Sequence, residues 1–134
     1  MTIKFSNETI KVIAMFSKLT RVNTRDCLIT DNCIYFLVNK DKVGLVIGRN
    51  GSGIRDLHKI LKKNIRVFGY SDDVEDFIRN LIPSSRRIEI NDSIATVALP
   101  KESKVSVIGR GGSNIKAIRE LLKRNTNISD LKVR

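Results

Sequence analysis

Apolar residues along the chain recur at two different periods, and the changes between them mark the predicted elements. The first stretch, Ser6–Leu19, has an apolar residue at every third or fourth position, which is typical of an amphipathic helix. The residues on this apolar face are Ile10, Ile13, Phe16 and Leu19, with Val12 and Met15 beside them. A second helix is predicted over Ser52–Lys63, and its inward-facing residues are Ile54, Leu57, Ile60 and Leu61.

Shorter β-rich runs lie between these helices and predict a hairpin. Asp26–Thr30 and Cys33–Val38 stand on either side of the turn residues Asp31-Asn32, as paired strands do. A further strand is predicted over Ile65–Phe68, after the second helix. A short helix and a glycine turn separate the hairpin from that second helix.

The same order of elements then starts again. Ser71 is the predicted N-cap of a helix with an acidic first turn, and Pro83 is expected to end that helix. A second hairpin is predicted from Arg87–Ile90 and Ile94–Leu99. The last predicted elements are a helix and a weaker strand, Ser113–Lys123 and Leu131–Val133.

The restart is also visible as a repeated stretch of residues. VIGRNGSGIRDLHKIL and VIGRGGSNIKAIRELL are offset by 61 residues, and ten positions are identical between residues 41–64 and 102–125. Both copies contain the turn Gly-Arg-x-Gly ahead of a basic helix. The repeat predicts two small α+β domains, residues 1–70 and 71–134, packed against each other.

Charge narrows the choice of partner. The 134-residue chain has a formal net charge of +11, and residues 1–70 carry 13 basic and 5 acidic side chains, against 12 and 9 in residues 71–134. A charge this far from zero costs self-repulsion and is typical of proteins with an anionic partner. Nucleic acid is the first candidate, an anionic membrane surface the second, and a merely solubilising charge the third.

The repeated turns are suited to holding a phosphate. Their terminal glycines let the backbone turn tightly and let a ligand approach without meeting a Cβ. The helix that follows offers free N–H groups and the positive end of its dipole, and we expect Ser52 and Ser113 to cap it. Because Arg49 and Arg110 add charge at the tips, each turn is predicted to cradle a sugar-phosphate backbone.

Patterns of catalytic residues are not found. Neither turn ends in the Gly-Lys-Ser/Thr of a P-loop, and Gly51-Ser-Gly53 lacks the third glycine of a dinucleotide fold. No carboxylate pair, Ser/His/Asp set or metal cluster stands out, and His58 is expected as a surface or boundary residue of its helix, not as a base. We therefore expect no enzyme, no cofactor and no metal.

The cysteines and the start of the chain bear on the compartment. Cys27 and Cys33 are expected as buried reduced thiols, with a disulfide as the alternative if the source is a hyperthermophile. The start MTIKFSNETIK lacks the features of a signal peptide, and no apolar run is long enough to cross a bilayer. A cytoplasmic protein without a membrane partner is expected.

The doubled pattern VIGxxGxxI ahead of an amphipathic helix resembles the KH domain family. The order is similar to type II: helix-strand-strand-helix-helix-strand, with a three-stranded sheet packed by helices. The chain more narrowly resembles the tandem KH pair of the NusA family of transcription factors, particularly its short archaeal form. That resemblance is carried by RDCLITDNCIYFLVNKDKVGLVIGRNGSGIRDLHKIL and DVEDFIRNLIP. The further domains of bacterial NusA are not expected within 134 residues.

The resemblance implies a function in binding single-stranded RNA, with roughly four nucleotides clamped at each GXXG loop. It places the chain in transcription elongation or termination, as a monomer that holds nascent RNA, with RNA polymerase or its complexes as a further partner. One alternative is a ribosomal or ribosome-assembly KH protein that binds rRNA. A protein-interaction scaffold without a nucleic-acid role is another alternative, and an enzyme is the most distant one.

The resemblance also assigns residues to RNA. The loop residues are Gly48, Arg49, Asn50, Gly51 and Ser52, with Gly109, Arg110, Gly111, Gly112 and Ser113. The basic residues beside the loops are Lys42, Arg55, Lys104 and Lys116. The apolar residues of the groove are Ile47, Ile54, Ile108 and Ile115, of which Ile54 and Ile115 fit a buried stripe equally well. The opposite wall is expected from the strands Cys33–Val38 and Ile94–Leu99.

Overall fold

The computed structural model describes residues 6–134, and these divide into two compact units. The first unit extends to Ser71 and the second is Asp72–Arg134; the boundary predicted from the sequence lies one residue earlier. The elements of the first unit are α1 (Asn7–Thr20), β1 (Asp26–Ile29), β2 (Cys33–Asn39), α2 (Val43–Ile47), α3 (Ser52–Leu61) and β3 (Asn64–Tyr70). Those of the second unit are α4 (Val74–Leu81), β4 (Arg87–Asn91), β5 (Ile94–Ala98), α5 (Lys104–Ile108), α6 (Ser113–Asn125) and β6 (Asp130–Val133).

Each unit contains a mixed three-stranded sheet of the same topology. The strand orders are β1-β2-β3 and β4-β5-β6, so the second hairpin strand is central in both sheets. The hairpin pairs are antiparallel, whereas β3 and β6 run parallel to β2 and β5. A parallel neighbour requires a crossover connection, and the helices on either side of each glycine turn provide it. The predicted α+β order of helix-strand-strand-helix-helix-strand is therefore confirmed.

The core of the first unit holds both helices that flank its glycine turn. Phe16 of α1 is fully buried and stacks on Phe36 of β2, with ring centroids 4.1 Å apart. Val46 of α2 and Leu57 of α3 are also fully buried in this cluster. Burying each side chain of this size contributes about 1.5–3 kcal/mol, so the turn between α2 and α3 is held at both ends.

Not every apolar position predicted to face inward is buried. Ile60 is 46% exposed, since successive helical residues turn by about 100° and it lies roughly a quarter turn from the centre of the buried side of α3. On α1, Ile10 and Leu19 are likewise exposed. The contact of α1 with the sheet is centred on Phe16, and these two residues lie beyond it.

The cap at the start of α4 also differs from the prediction. The N-cap residue is Asp73, whose carboxylate accepts a hydrogen bond from the Asp76 backbone N–H at 3.3 Å. Ser71 lies two residues too early for this role and is buried. Asp73 also places a negative charge at the positive end of the helix dipole, which stabilises the helix start.

Membrane-spanning helices are not found among residues 6–134, because none of the helices there is both long and apolar enough to cross a bilayer.

Candidate functional site

The two glycine turns have almost the same backbone conformation. Gly48 and Gly109 have φ/ψ of 73°/176° and 77°/171°, and Gly51 and Gly112 have 75°/15° and 76°/13°. All four lie in the positive-φ region that glycine adopts without a steric cost. The repeated motif therefore encodes the same loop twice.

The first glycine of each turn is required for a second, steric reason. A Cβ on Gly48 would lie 2.9 Å from the backbone nitrogen of Gly53, and one on Gly109 would lie 2.7 Å from Cβ of Asn114. Each turn packs against the first residues of the helix that follows it, with no room for a side chain between them.

Ser52 and Ser113 do not cap their helices, contrary to the prediction. Both are already helical, with φ near −60°, and the N-caps are Gly51 and Gly112, which make no side-chain cap bond. An N-cap side chain reaches the next N–H groups from an extended backbone, and a serine in helical conformation is not placed to do so. The chain enters each helix directly from a left-handed glycine.

Basic side chains cluster at the tip of each loop. Arg49 and Arg110 are both exposed. In the first unit, Nη1 of Arg55 donates to the backbone carbonyl of Asn50, which fixes a second guanidinium at the loop. In the second unit, Lys116 lies beside the loop, with its Cε 3.8 Å from the position of a Cβ on Gly112.

The other predicted basic residues lie farther along the chain. Lys42 precedes α2 and Lys104 is the first residue of α5. Both helices have five residues, so these lysines lie one helix length, about 7 Å, from the loops. They add to the positive charge around each loop without forming its tip.

The predicted groove isoleucines fall into two groups. Ile47 and Ile108, at the ends of α2 and α5, are 39% and 40% exposed directly ahead of each loop. Ile54 is partly buried and packs against the core of the first unit. Ile115 is only 5% exposed and occupies a core position.

A cleft with an apolar floor and a basic rim lies between α3 and β3. Its lining residues are Ile54, Arg55, His58, Lys59, Asn64 and Ile65, and it is called the first cleft below. Arg55 belongs both to this lining and to the loop contact, so the first cleft is continuous with the loop.

The wall opposite α3 is the edge strand β3, not β2. The predicted wall residues, Cys33–Val38, are all buried because β2 is the central strand of the sheet. The lining residues that the prediction missed are His58, Lys59, Asn64 and Ile65. The parallel pairing that places β3 at the sheet edge beside α3 is a feature of the tertiary structure, and the predicted order of elements did not indicate it.

Two hydrogen bonds hold the end of the first cleft in place. Nδ1 of His58 lies 2.9 Å from the backbone carbonyl of Lys63, and because a carbonyl only accepts, Nδ1 carries the hydrogen. The ammonium of Lys63 donates to the carbonyl of Thr30 in the β1–β2 turn at 2.9 Å. His58 is exposed, as predicted, and helps to shape this cleft.

Cys27 and Cys33 are buried and form no disulfide, in agreement with the prediction of two buried thiols. Burial raises the pKa of the Cys33 thiol above its ordinary value. Burial also raises the pKa of the neighbouring Tyr35 hydroxyl, and Cys33 adds to that effect. Within residues 6–134, no group of three or more histidine, cysteine or acidic residues is arranged to hold a metal ion.

Comparison with known proteins agrees with this geometry. The family model described as KH domain matches residues 11–80 and 77–134. Two relatives are both named "Probable transcription termination protein NusA". The one from Methanocaldococcus jannaschii is 28% identical, over 98% of this chain and 75% of its own length. The one from Halobacterium salinarum is also 28% identical, over 99% of both chains.

A solved structure shows the same fold over nearly all of the chain. The structure described as "Crystal structure of APE1850" has a TM-score of 0.76 and 28% sequence identity, and the match covers 97% of this chain and 100% of the other. The doubled loop, the two sheets and the family match lead to one conclusion. The chain belongs to the KH domain family and is a NusA-like protein with two KH domains in tandem.

Proposed function

We propose that the protein binds single-stranded RNA in transcription elongation or termination, with nascent RNA held at both glycine loops. The observation that supports this most directly is the pair of loops with the same backbone geometry and an exposed arginine at each tip. The loop residues that bind RNA in this proposal are Gly48, Arg49, Asn50, Gly51 and Ser52, with Gly109, Arg110, Gly111, Gly112 and Ser113.

RNA binding in this proposal depends on the close approach of a phosphate to the glycine loop and on the positive charge around that loop. The terminal glycines present no Cβ to a phosphate, and Arg49 and Arg55 supply guanidinium groups that pair well with phosphate oxygens. Bases enter the first cleft, where Ile54 and Ile65 provide apolar surface and polar groups line the rim. Each loop alone binds modestly, and the covalent link between the units raises the effective concentration of the second loop.

The place in transcription follows the names of the relatives. Archaeal proteins that match nearly the whole chain are named as transcription termination proteins, which supports transcription over the ribosomal alternative. In this proposal the protein acts in the cytoplasm, as a monomer, with RNA polymerase or its complexes as its partner. Sedimentation of cell extracts tests this: migration with RNA polymerase supports the proposal, and stable migration with the small ribosomal subunit contradicts it.

Charge reversal at the loops tests RNA binding directly. The variant replaces Arg49 and Asn50, and likewise Arg110 and Gly111, with aspartate. We expect affinity for a short single-stranded RNA to fall by roughly 100-fold or more, since each lost charge-assisted contact costs about a factor of ten. Titration by fluorescence anisotropy measures the loss, and circular dichroism checks the fold. Unchanged affinity in a folded variant would contradict the proposal.

The matched control changes the same total charge away from the loops. Lys11→Glu, Lys18→Glu and Lys123→Glu alter exposed residues on α1 and in the last turn of α6. We expect this control to lose only a fewfold in affinity. Log affinity of the wild type should also fall with log salt at about −0.7 per phosphate contacted, with a shallower slope in the loop variant.

A further inference from the structure

The register of the sheets shows which residues occupy matching places in the two units. Cys33 pairs with Asn64 in the first sheet, and Ile94 pairs with Asp130 in the second. Cys33 and Ile94 are related by the 61-residue repeat. Asp130 and Leu131 therefore take the places of Asn64 and Ile65 beside the helix. The second cleft is defined here as the matching place, between α6 and β6.

The helix side of the two clefts differs at one residue in particular. Arg119 stands 61 residues after His58, on the same side of its helix. His58 contacts the carbonyl of Lys63, ahead of the strand, and does not cross to β3. Arg119 does cross: its Nε donates to the backbone carbonyl of Leu131 at 2.9 Å.

Asp130 supports this crossing. Its Oδ1 lies 4.0 Å from Nε of Arg119 and accepts a hydrogen bond from the Leu131 backbone N–H at 2.9 Å. The ion pair by itself stabilises little, because both side chains are about half exposed. The bond to the Leu131 carbonyl is different, since that residue is 1% exposed and its backbone is fixed in the strand. A charge-assisted bond to a fixed carbonyl is among the stronger kinds.

We propose that Arg119 closes the second cleft to bases, so that the two KH units contact RNA unequally. The first unit takes bases in its open cleft as well as phosphate at its loop. The second unit contacts phosphate at its loop, while the guanidinium of Arg119 occupies the path that a base would take between α6 and β6. This inference rests on the proposed function, because it describes how the two units divide the contacts with one RNA.

The charge of the two units is consistent with this division. Residues 1–70 carry 13 basic and 5 acidic side chains, whereas residues 71–134 carry 12 and 9. At the place of Lys59 in the first cleft, the second unit has Glu120, which is exposed on α6. A carboxylate beside the second cleft repels a phosphate that would follow a base into it.

A substitution of Arg119 tests whether this residue closes the second cleft or only attracts phosphate by its charge. Arg119→His installs the residue found in the first cleft and removes the bond to the Leu131 carbonyl. If Arg119 only attracted phosphate, the variant would bind RNA more weakly. If it closes the second cleft, the variant gains a base contact, and we expect affinity for a single-stranded RNA of about eight nucleotides to rise roughly three- to tenfold.

Photocrosslinking with thiouridine in that RNA identifies the cleft. In the wild type, we expect crosslinks to peptides from residues 52–66 and none to peptides from residues 117–133, which exclude the second loop. In Arg119→His, crosslinks to the second set should appear. The matched control is Lys123→His, which loses a positive charge from an exposed position on the same helix. It should bind slightly more weakly and show no new crosslinks.

The reciprocal change keeps the test informative if Arg119→His does not fold. His58→Arg with Asn64→Asp builds the same pair in the first cleft. Despite the added arginine, we expect crosslinks to residues 52–66 to fall at least threefold. Two results would overturn the inference: equal crosslinking of both clefts in the wild type, or an Arg119→His variant that behaves like Lys123→His. If the loop variants also left RNA affinity unchanged, the proposed function itself would fail, and not only the inequality of the units.

Discussion

The two units have loops of the same conformation, and they differ in the cleft next to the loop. The glycines of the two loops agree in φ to within a few degrees, and both loops carry an exposed arginine. Behind the first loop lies an open cleft, and behind the second an arginine crosses from helix to strand. Loop geometry depends on four consecutive residues, so a repeated motif preserves it. The cleft depends on how a helix and the strand that follows it are placed, which the loop motif does not set, so it can diverge while the loop stays the same.

Helix length is one source of this divergence. α3 ends at Leu61, and Lys62 follows in a left-handed conformation, whereas α6 continues for three more residues than α3. The identical residues Asn64 and Asn125 consequently have different places: the first begins β3 and the second ends α6. Sequence identity at a fixed offset thus stops describing equivalent positions before the last strand.

The contact between the two helices around each loop is made in different ways. In the first unit, Gly53 lets α3 approach the backbone carbonyl of Val46 closely. In the second, the matching residue is Asn114, whose buried side-chain amide donates to the carbonyl of Val107 at 2.9 Å. In the first unit the two helices come close because residue 53 has no side chain, and in the second unit a side-chain hydrogen bond joins them.

The largest loss of stability is therefore expected for the substitution Gly53→Ala. Its Cβ would lie 2.0 Å from the Val46 carbonyl oxygen, so α2 and α3 must move apart. We expect the free energy of unfolding of the first unit to fall by about 3 kcal/mol or more. The chain has no tryptophan and its two tyrosines, Tyr35 and Tyr70, lie in the first unit. Tyrosine fluorescence during urea denaturation therefore reports on that unit alone.

Two variants complete this test. Gly44→Ala is the matched control, because its Cβ would meet nothing within 4 Å and alanine favours the helix, so stability should hold or rise by about 0.5–1 kcal/mol. Asn114→Ala removes one hydrogen bond and should cost the second unit about 1–2 kcal/mol, measured by amide exchange. A Gly53→Ala variant as stable as Gly44→Ala would contradict the close approach.

At alkaline pH we expect a smaller loss of stability in the first unit. Burial raises the pKa of the Cys33 thiol above its ordinary value of 9.0, so the folded state keeps the proton that the unfolded chain releases. This contribution to stability is fully present below about pH 9 and is lost as the pH rises through the raised pKa. We expect the urea midpoint of the first unit to fall above about pH 9.

The control for the pH effect lies in the same position of the other sheet. Ile94 stands at the place of Cys33 and Thr96 at the place of Tyr35, and neither ionises in this range. Cys33→Val should reduce the alkaline loss in the first unit and leave the second unit unchanged. An alkaline loss that is equally steep in Cys33→Val would assign the effect to other groups.

The smallest effects are expected at the middle of the loops. Asn50 has φ 55° and Gly111 has φ 61°, a region that asparagine tolerates better than most residues. Asn50→Gly should lower the stability of the first unit by about 0.5 kcal/mol, because glycine has more freedom in the unfolded chain. Gly111→Asn should raise that of the second by a similar amount. If amide exchange showed that both substitutions stabilise their unit, or that both destabilise it, the two loops would differ more than their backbones do.

Most of the fold could be predicted from the sequence. The period of apolar residues and the turn residues predicted the strands and the helices beside the loops, with ends that coincide with those observed or differ from them by one or two residues. Errors arose where a side chain's role depended on its local conformation. Ser52 was predicted as a cap and is helical, and Ile60 was predicted as buried and is exposed. The predicted RNA-binding residues stay predictions, although the structure places Arg55 and Lys116 beside the loops.

The sequence by itself determined the doubled loop, the order of elements and the excess of positive charge, because these depend on neighbouring residues and on composition. Only the tertiary structure decided which isoleucines stay exposed, that β3 and not β2 faces α3 across the first cleft, and that Arg119 reaches Leu131. The physical reason is that such contacts depend on where a helix ends relative to a strand. The packing of the whole unit sets the position of the helix end relative to the strand, and no short motif encodes that position.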